Sequence, residues 1–277
     1  MSLRINQNID AANSYRNLSV TQGQMSKSLE KLSSGFRINR AADDASGLAI
    51  SEGLRSQVGG LKVGARNAQD GISVAQTAEG ALTEVHSMLQ RMNDLSVQYN
   101  NGTQNTDSQA ALKSEFDQLK TEIGRIESNT KFNGVAVFGN ATPAVVGPPA
   151  VAAGTVSFQV GYGSADKIDV NLAYKPTTDT GTLDITAADA SDKVQAAVTK
   201  VSTARAELGA TQNRFEHTIN NVNVAIENLS ASESRIRDTD MAQEMMSFTR
   251  SQILSQAGTA MLAQANQASQ GVLSLLR

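Results

Sequence analysis

The most sustained apolar repeat of this sequence lies in VQAAVTKVSTARAELGATQNRFEHTINNVNVAIENL, residues 194–229. Its apolar residues recur at Val194, Val198, Val201, Leu208, Phe215, Ile219, Val222, Ile226 and Leu229. Their mean step is about 3.5 residues, the repeat of helices that pack in coiled coils. A helix of this kind needs a partner for its apolar seam. The stretch therefore predicts a mainly α protein built from long, coiled-coil-like helices in an elongated bundle.

Proline placement divides the rest of the chain. All the prolines, at positions 143, 148, 149 and 176, lie in one stretch, which leaves residues 1–142 and 177–277 free of the strongest helix breaker. Three further helical patterns precede this stretch. The first carries Tyr15, Leu18, Met25, Leu29 and Leu32 and ends at Ser33-Ser34-Gly35; the second runs from Asp43-Asp44 to Tyr99; the third repeats Leu112, Phe116, Leu119, Ile123 and Ile126. Both chain ends therefore contribute long helices.

The middle of the chain predicts a small β element. Asn133-Gly134 is a turn signal between β-prone residues, and strand patterns recur at residues 155–160 and 168–172. A segment of about 45 residues cannot easily build its own core. We expect one or two β-hairpins here, as a small appendage.

The chain closes on QASQGVLSLLR, residues 267–277, which is apolar for a terminus. Beyond a polar joint at residues 235–240, a final helix is predicted by Met241, Met245, Phe248, Leu254, Ala257, Met261, Ala265, Ala268, Val272 and Leu275. Met245 and Met246 fit either a pliable binding surface or core packing. The apolar residues of the first helix, from Tyr15 to Leu32, would bury one side of this final helix, but Leu273, Leu275 and Leu276 point in several directions. They predict a polymerisation surface that other chains cover.

Composition bounds the chemistry. The 277 residues include no cysteine and carry a net charge of -3, which excludes disulfides and thiolate sites and provides no basic surplus for nucleic acid. His86 and His217 lack the spacing of zinc ligands on one helix. We interpret Asp43, Asp44 and Asp240 as helix-cap residues rather than catalytic carboxylates. We therefore expect no enzymatic activity, no catalytic residue, no cofactor and no metal, and neither a membrane span nor a cleaved signal peptide.

Several stretches resemble bacterial flagellin, in order and at both ends of the chain. They are INQNIDAANSYRNL, LSSGFRINRAADDASGLAISEGLRSQ, ARNAQDGISVAQTAEGAL, NTKFNGVAVF, ARAELGATQNRFEHTINNV, ESRIRDTDMAQEM and QANQASQGVLSLLR. The resemblance implies a structural subunit that polymerises into the flagellar filament for swimming motility. It also implies unfolded export through the flagellar type III pathway and a location outside the cell. The alternative is the hook-filament junction protein, whose terminal helices are similar.

The resemblance also implies a domain division and a set of partners. The divisions are an N-terminal inner-tube helix at 1–43, the first part of a bundle domain at 44–140, a short variable β/loop region at 141–185, a C-terminal bundle helix at 186–235 and a C-terminal inner-tube helix at 236–277. The implied partners are further copies of the chain in a helical homopolymer, an export chaperone on the C-terminal helix, hook-associated and cap proteins, and Toll-like receptor five in a host.

The receptor surface implied by the resemblance lies on LQRMNDLSVQ, residues 89–98, and on the next helix. Carried over by position, it consists of Gln90, Arg91, Leu95 and Glu115. Arg91 and Leu95 are four residues apart and share a helix face. The alternative interpretation places Leu95 in the core and makes Arg91 and Glu115 a solvated ion pair.

Overall fold

The computed structural model describes residues 8–139 and 154–275, with side chains as far as residue 267. The elements of these segments are α1 (Ile9–Ser34), α2 (Ala45–Tyr99), α3 (Thr106–Asn129), β1 (Lys131–Phe132), β2 (Val135–Ala136), β3 (Thr155–Gln159), β4 (Lys167–Asn171), α4 (Pro176–Thr180), α5 (Ala190–Arg237) and α6 (Met241–Leu275). The predicted fold class, mainly α with small central hairpins, is confirmed.

The ends of the first two helices follow local rules for helix capping. Helix α1 ends at Gly35, whose φ of 76° suits a residue without Cβ and whose N–H donates to the Lys31 carbonyl over 2.8 Å. Asp44 caps α2, because its Oδ1 accepts from the Gly47 N–H over 2.8 Å. Asp43 does not cap the helix. Its Oδ2 accepts from the Asn39 and Arg40 N–H groups, which closes the preceding turn and lowers the pKa of the Asp43 carboxyl.

The chain forms two compact units. One, here the terminal unit, comprises Met1–Ser56 and Asn228–Arg277; the other, the central unit, comprises Gln57–Glu227. The five-part division expected from the sequence stays a prediction.

In the central unit, α2 and α5 pack antiparallel. Asn93 Oδ1 accepts from Ser191 Oγ over 2.9 Å, and Glu79 Oε2 accepts from Gln212 Nε2 over 3.0 Å. Farther back along α2, Gly71 faces the Phe215 ring. The predicted heptad residues Phe116 and Ile123 of α3 are fully buried in the same core. The seams that the sequence indicated in α3 and α5 are therefore those that the central unit buries.

Both predicted hairpins are present. Asn133 and Gly134 have φ values of 49° and 80° and form the turn between β1 and β2. Strand β3 pairs antiparallel with β4, and Ile168 and Val170 of β4 are buried. Asn67 of α2 donates from Nδ2 to the Gln159 carbonyl over 2.9 Å. The β3–β4 hairpin is therefore part of the central core rather than an appendage.

The segment between β4 and α5 is bound to α3 by hydrogen bonds. It contains the short helix α4. The Thr177 N–H donates to Glu127 Oε2 over 2.8 Å, and Lys120 Nζ donates to the carbonyls of Gly181 and Leu183 over 2.9 and 3.0 Å. Burial and the negative charge of Asp179 raise the pKa of Tyr174. These contacts order the chain between β4 and α5.

Replacing Gly64 with alanine is expected to destabilise the central unit by about 1–3 kcal/mol, because the added methyl meets backbone that cannot move freely. A Cβ at Gly64 would lie 2.6 Å from the carbonyl carbon of Val160, and closer still to its oxygen. A Cβ at Gly80, on the same helix, would meet no neighbouring atom within 4 Å. The matched control Gly80→Ala should therefore gain up to about 1 kcal/mol in helix propensity. Urea unfolding of monomers measures both, and equal stabilities would contradict the docking of the hairpin on α2.

Candidate functional site

Neither a cluster of metal ligands nor a membrane-spanning helix is found among the described residues. Across residues 8–139 and 154–275, no three side chains of histidine, aspartate or glutamate converge as metal ligands. In that same part of the chain, no helix has the length and apolar character needed to cross a membrane. The candidate sites described below lie on the helices and at the junction between α1 and α6.

Within the terminal unit, a polar junction connects the residues that follow α1 with those between α5 and α6. Phe36 and Asp238 form an antiparallel β-bridge, the Arg37 N–H donates to the Arg237 carbonyl over 2.7 Å, and the Thr239 N–H donates to the Gly35 carbonyl over 3.0 Å. Asp240 then caps α6, because its Oδ1 accepts from the N–H groups of Ala242 and Gln243. The junction holds the end of α1 beside the start of α6.

Arg237 is the central side chain of this junction. Its guanidinium lies 4.8 Å from the centre of the Phe36 ring and donates from Nη1 to Glu52 Oε1 over 2.6 Å. Its side chain is only 14% exposed. This geometry combines a cation–π contact with a partly buried ion pair.

Replacing Arg237 with alanine is expected to loosen the junction by about 1–2 kcal/mol, the combined size of a cation–π contact and an ion pair. Amide hydrogen exchange at Arg37 and Thr239 should then rise about five- to thirtyfold. Arg55→Ala is the matched control, since Arg55 reaches the same Glu52 oxygen only at 4.0 Å and is 65% exposed. We expect the control to exchange like the parent, and identical exchange in both variants would contradict the assigned role.

Helices α1 and α6 pack antiparallel along their length. Lys31 Nζ lies 3.9 Å from Glu244 Oε2 at one end, and Asn8 Nδ2 donates to the Ala265 carbonyl over 2.9 Å at the other. Between them, a Cβ on Gly258 would lie 3.2 Å from the Leu18 side chain. The predicted pairing of the two terminal helices is confirmed.

The shielded positions of α1 and α6 carry a mixture of small and large side chains. The shielded positions recur in steps of three and four residues: Ala11, Ser14, Leu18, Thr21, Met25, Ser28 and Leu32 on α1, and Glu244, Phe248, Ser251, Ser255, Gly258, Leu262 and Ala265 on α6. At Gly258 the two helices approach so closely that an added Cβ would lie 3.2 Å from the Leu18 side chain, so this part of the seam leaves little room for a larger residue.

The large apolar side chains lie mostly outside this seam. Tyr15 and Leu29, which the sequence analysis placed in the α1 seam, are 65% and 56% exposed, so that prediction is wrong for these two residues. On α6, the exposed large apolar residues are Met241, Met245, Met246, Ile253, Leu254 and Met261. Met245, Met246, Thr249, Arg250, Ile253 and Leu254 share one helix face and line a shallow groove. We call the exposed large apolar side chains of α1 and α6 the outer apolar face.

The predicted polymerisation residues lie at the end of α6. Leu276 lies outside the described residues. Leu273 and Leu275 belong to the α6 backbone, but their side chains lie outside the described part of the chain. Their role stays a prediction.

The predicted receptor residues separate into a surface group and a core residue. Arg91 donates from Nε to Glu115 Oε1 over 2.8 Å, and the two side chains are 48% and 43% exposed. Gln90 is exposed, with its Nε2 3.0 Å from His86 Nε2. Leu95 has no exposed surface. The structure thus brings Arg91 and Glu115 together at the surface and places Leu95 in the core.

Comparison with known proteins identifies the family. The bacterial flagellin N-terminal helical region matches residues 5–142, and the bacterial flagellin C-terminal helical region matches residues 191–276. The chain is 50% identical to a flagellin of Halalkalibacterium halodurans over 99% of both chains. It is 47% identical to a flagellin of Bacillus subtilis, over 99% of this chain and 100% of that one. It is also 45% identical to a flagellar filament 33 kDa core protein of Treponema phagedenis, again over 99% of each.

These matches favour flagellin over the hook-filament junction protein. They extend across nearly the full length of relatives that are named as flagellins or filament core proteins. Because both helical regions and full-length relatives agree, the chain belongs to the bacterial flagellin family, as a structural, non-enzymatic subunit of the extracellular flagellar filament.

Proposed function

We propose that this flagellin polymerises through the outer apolar face of α1 and α6. The observation that carries the proposal is that most large apolar side chains of this helix pair lie outside its internal seam. Ser251 and Gly258 lie in the seam, whereas Ile253, Leu254 and Met261 are 61%, 50% and 62% exposed. Contiguous exposed apolar surface of this kind is typical of an interface with another protein. In a homopolymer, further copies of the chain cover it.

The burial energy supports this assignment. Each large aliphatic side chain transferred from water to an interface contributes about 1.5–3 kcal/mol. A single subunit does not gain this energy, because its α1 occupies the opposite face of α6. Stacked subunits gain it at every contact, which favours long filaments over monomers once nucleation has occurred. We include Leu273, Leu275 and Leu276 in the interface because they continue the apolar sequence of the final helix.

Replacing Leu273, Leu275 and Leu276 together with alanine is expected to block or strongly weaken polymerisation. Each truncation at a buried site costs about 2–5 kcal/mol. The helicity of the central unit should be unchanged, since these residues lie outside Gln57–Glu227. Electron microscopy of filament growth on flagellar seeds, beside circular dichroism of the monomer, tests this. Filaments of normal length from the triple variant would contradict the role of the tail.

The exposed face of α6 also suits the remaining flagellar partners expected for this chain. Before assembly, an apolar helix face needs protection from non-specific association, and an export chaperone on residues 241–277 would provide it. The absence of cysteine is compatible with unfolded passage through the type III export channel, because no disulfide can constrain the chain. Hook-associated and cap proteins would meet the same helices at the two ends of a filament.

A second proposal concerns host recognition by Toll-like receptor five. The Arg91–Glu115 pair, with Gln90 beside it on α2, presents a charged and partly exposed surface that a receptor can contact. Partly exposed charged groups of this kind contribute more to specificity and association rate than to raw affinity. Leu95 is buried in the core, so its contribution is expected to be structural.

Replacing Gln90, Arg91 and Glu115 with alanine should raise the monomer concentration that gives half-maximal receptor signalling about tenfold or more. The matched control is Glu122→Ala with Arg125→Ala, which removes an exposed ion pair from α3. Leu95→Ala is kept out of the variant because a cavity in the core would lower stability. A receptor-reporter assay measures all three proteins. Undiminished signalling by the triple variant, or no signalling by wild-type monomer, would contradict the proposal that the receptor contacts this surface.

A further inference from the structure

The methionines of this chain are distributed unevenly between surface and interior. Met241, Met245, Met246 and Met261 of α6 are 48%, 50%, 65% and 62% exposed. By contrast, Met92 has no exposed surface, and Met25 and Met88 are partly shielded. Among the described residues, the exposed methionines therefore all belong to α6.

The composition makes these thioethers the principal targets of a mild oxidant. The chain contains no cysteine and no tryptophan, so the side chains that usually compete for oxidation are absent. Methionine is oxidised reversibly to its sulfoxide, which converts an apolar side chain into a polar one. Susceptibility increases with exposure, which separates the α6 methionines from Met92.

We propose that Met241, Met245, Met246 and Met261 form a peroxide-sensitive modification site that controls assembly of the free subunit. In the reaction, a sulfur lone pair attacks one peroxide oxygen, an S–O bond forms and the O–O bond breaks. The sulfur is oxidised by two electrons, the peroxide is reduced, and the departing oxygen leaves as water after proton transfer. The protein supplies no catalyst for this step; it supplies the exposed thioethers.

The consequence for assembly rests on the proposed function of the outer apolar face. Met245 and Met246 line the same shallow groove as Ile253 and Leu254. A sulfoxide oxygen placed there has to be desolvated when a neighbouring subunit covers the groove, and it finds an apolar partner instead of water. Oxidised monomers are therefore expected to polymerise poorly, while subunits already in a filament are protected by their neighbours.

Hydrogen peroxide treatment of purified monomer, followed by peptide mass spectrometry and seeded filament growth, tests the proposal. The oxidised fraction at Met245, Met246 and Met261 should exceed that at Met92 by about tenfold or more, and the critical concentration should rise about tenfold. The matched variant replaces the α6 methionines with leucine, a swap of similar volume that resists this oxidation. It should polymerise equally well before and after treatment. Enzymatic reduction of the sulfoxides in treated wild-type monomer should restore growth.

Two results would overturn the proposal. One is normal growth of wild-type monomer in which the α6 methionines are shown to be oxidised; the other is equal oxidation of Met92 and the α6 methionines. A separate experiment tests the proposed function of the outer apolar face. If that proposal is wrong, unoxidised monomer carrying Ile253→Ser and Leu254→Ser will still polymerise. If the leucine variant does not assemble, restoration by sulfoxide reduction decides the outcome, and absence of restoration counts against the proposal.

Discussion

Replacing Phe215 with alanine is expected to destabilise the central unit by about 3–5 kcal/mol, the usual cost of removing a buried aromatic ring. The ring has no exposed surface and meets Phe158 edge-on, with centroids 5.7 Å apart and an interplanar angle of 88°. It also lies against Gly71, where a Cβ would be 2.6 Å from Cζ of the ring. One side chain therefore joins α5, α2 and the β3–β4 hairpin, and its loss leaves a cavity where all three meet.

Urea unfolding of the monomer, followed by circular dichroism, measures this loss. Val224→Ala is the matched control, because Val224 lies on the same helix but is 57% exposed. We expect the control to change stability by no more than about 0.5 kcal/mol. A loss below about 1 kcal/mol for Phe215→Ala would show that the hairpin and the two helices do not share this core.

The second large effect is expected at the outer apolar face. Replacing Ile253 and Leu254 with serine should raise the critical concentration for polymerisation at least about a hundredfold, since burial of each side chain contributes about 1.5–3 kcal/mol per interface. The monomer should remain folded, because both side chains are exposed in it, at 61% and 50%. Sedimentation of filaments grown at a series of monomer concentrations gives the critical concentration directly.

The control for this experiment changes polar neighbours on the same helix. Gln252 and Gln256 are exposed, and serine in their place removes side-chain volume without removing apolar surface. The control variant should polymerise within a fewfold of wild type. Equal critical concentrations for the two double variants would contradict apolar burial at Ile253 and Leu254 as the basis of assembly.

Periodicity predicted most of the helices and much of the central core. Phe116 and Ile123 repeat at coiled-coil spacing, and both are fully buried. Such spacing is informative because it places the apolar residues on one side of the helix, and that side is buried when it packs against the core. The adjacent carboxylates Asp43 and Asp44 show the limit of local rules. Both suit a helix start, but the turn at Asn39 and Arg40 accounts for the hydrogen bonds of Asp43.

The orientation of α6 could not be predicted in the same way. This helix is apolar on more than one side, so its sequence pattern fits several choices of inner face. Close packing against Leu18 selects the small residues around Gly258 as that face, which leaves Leu254 exposed. Likewise, the contact of Gly64 with the hairpin depends on residues far apart in sequence, and no local pattern indicates it. Of the expected receptor residues, Arg91 and Glu115 form the ion pair of the alternative interpretation, and Leu95 belongs to the core, where that interpretation also placed it.

The accessibility of Leu254 before and after assembly tests whether subunits polymerise through the outer apolar face. Because the chain has no cysteine, Leu254→Cys introduces a single thiol, and a small fraction of this variant can be mixed into wild-type subunits. Maleimide labelling should be fast in the monomer, where Leu254 is 50% exposed, and slower by about tenfold or more in the filament, where a neighbour covers it. Ser251→Cys, in the internal seam, should react slowly in both states. Equal labelling of the Leu254→Cys variant in monomers and filaments would contradict polymerisation through this face.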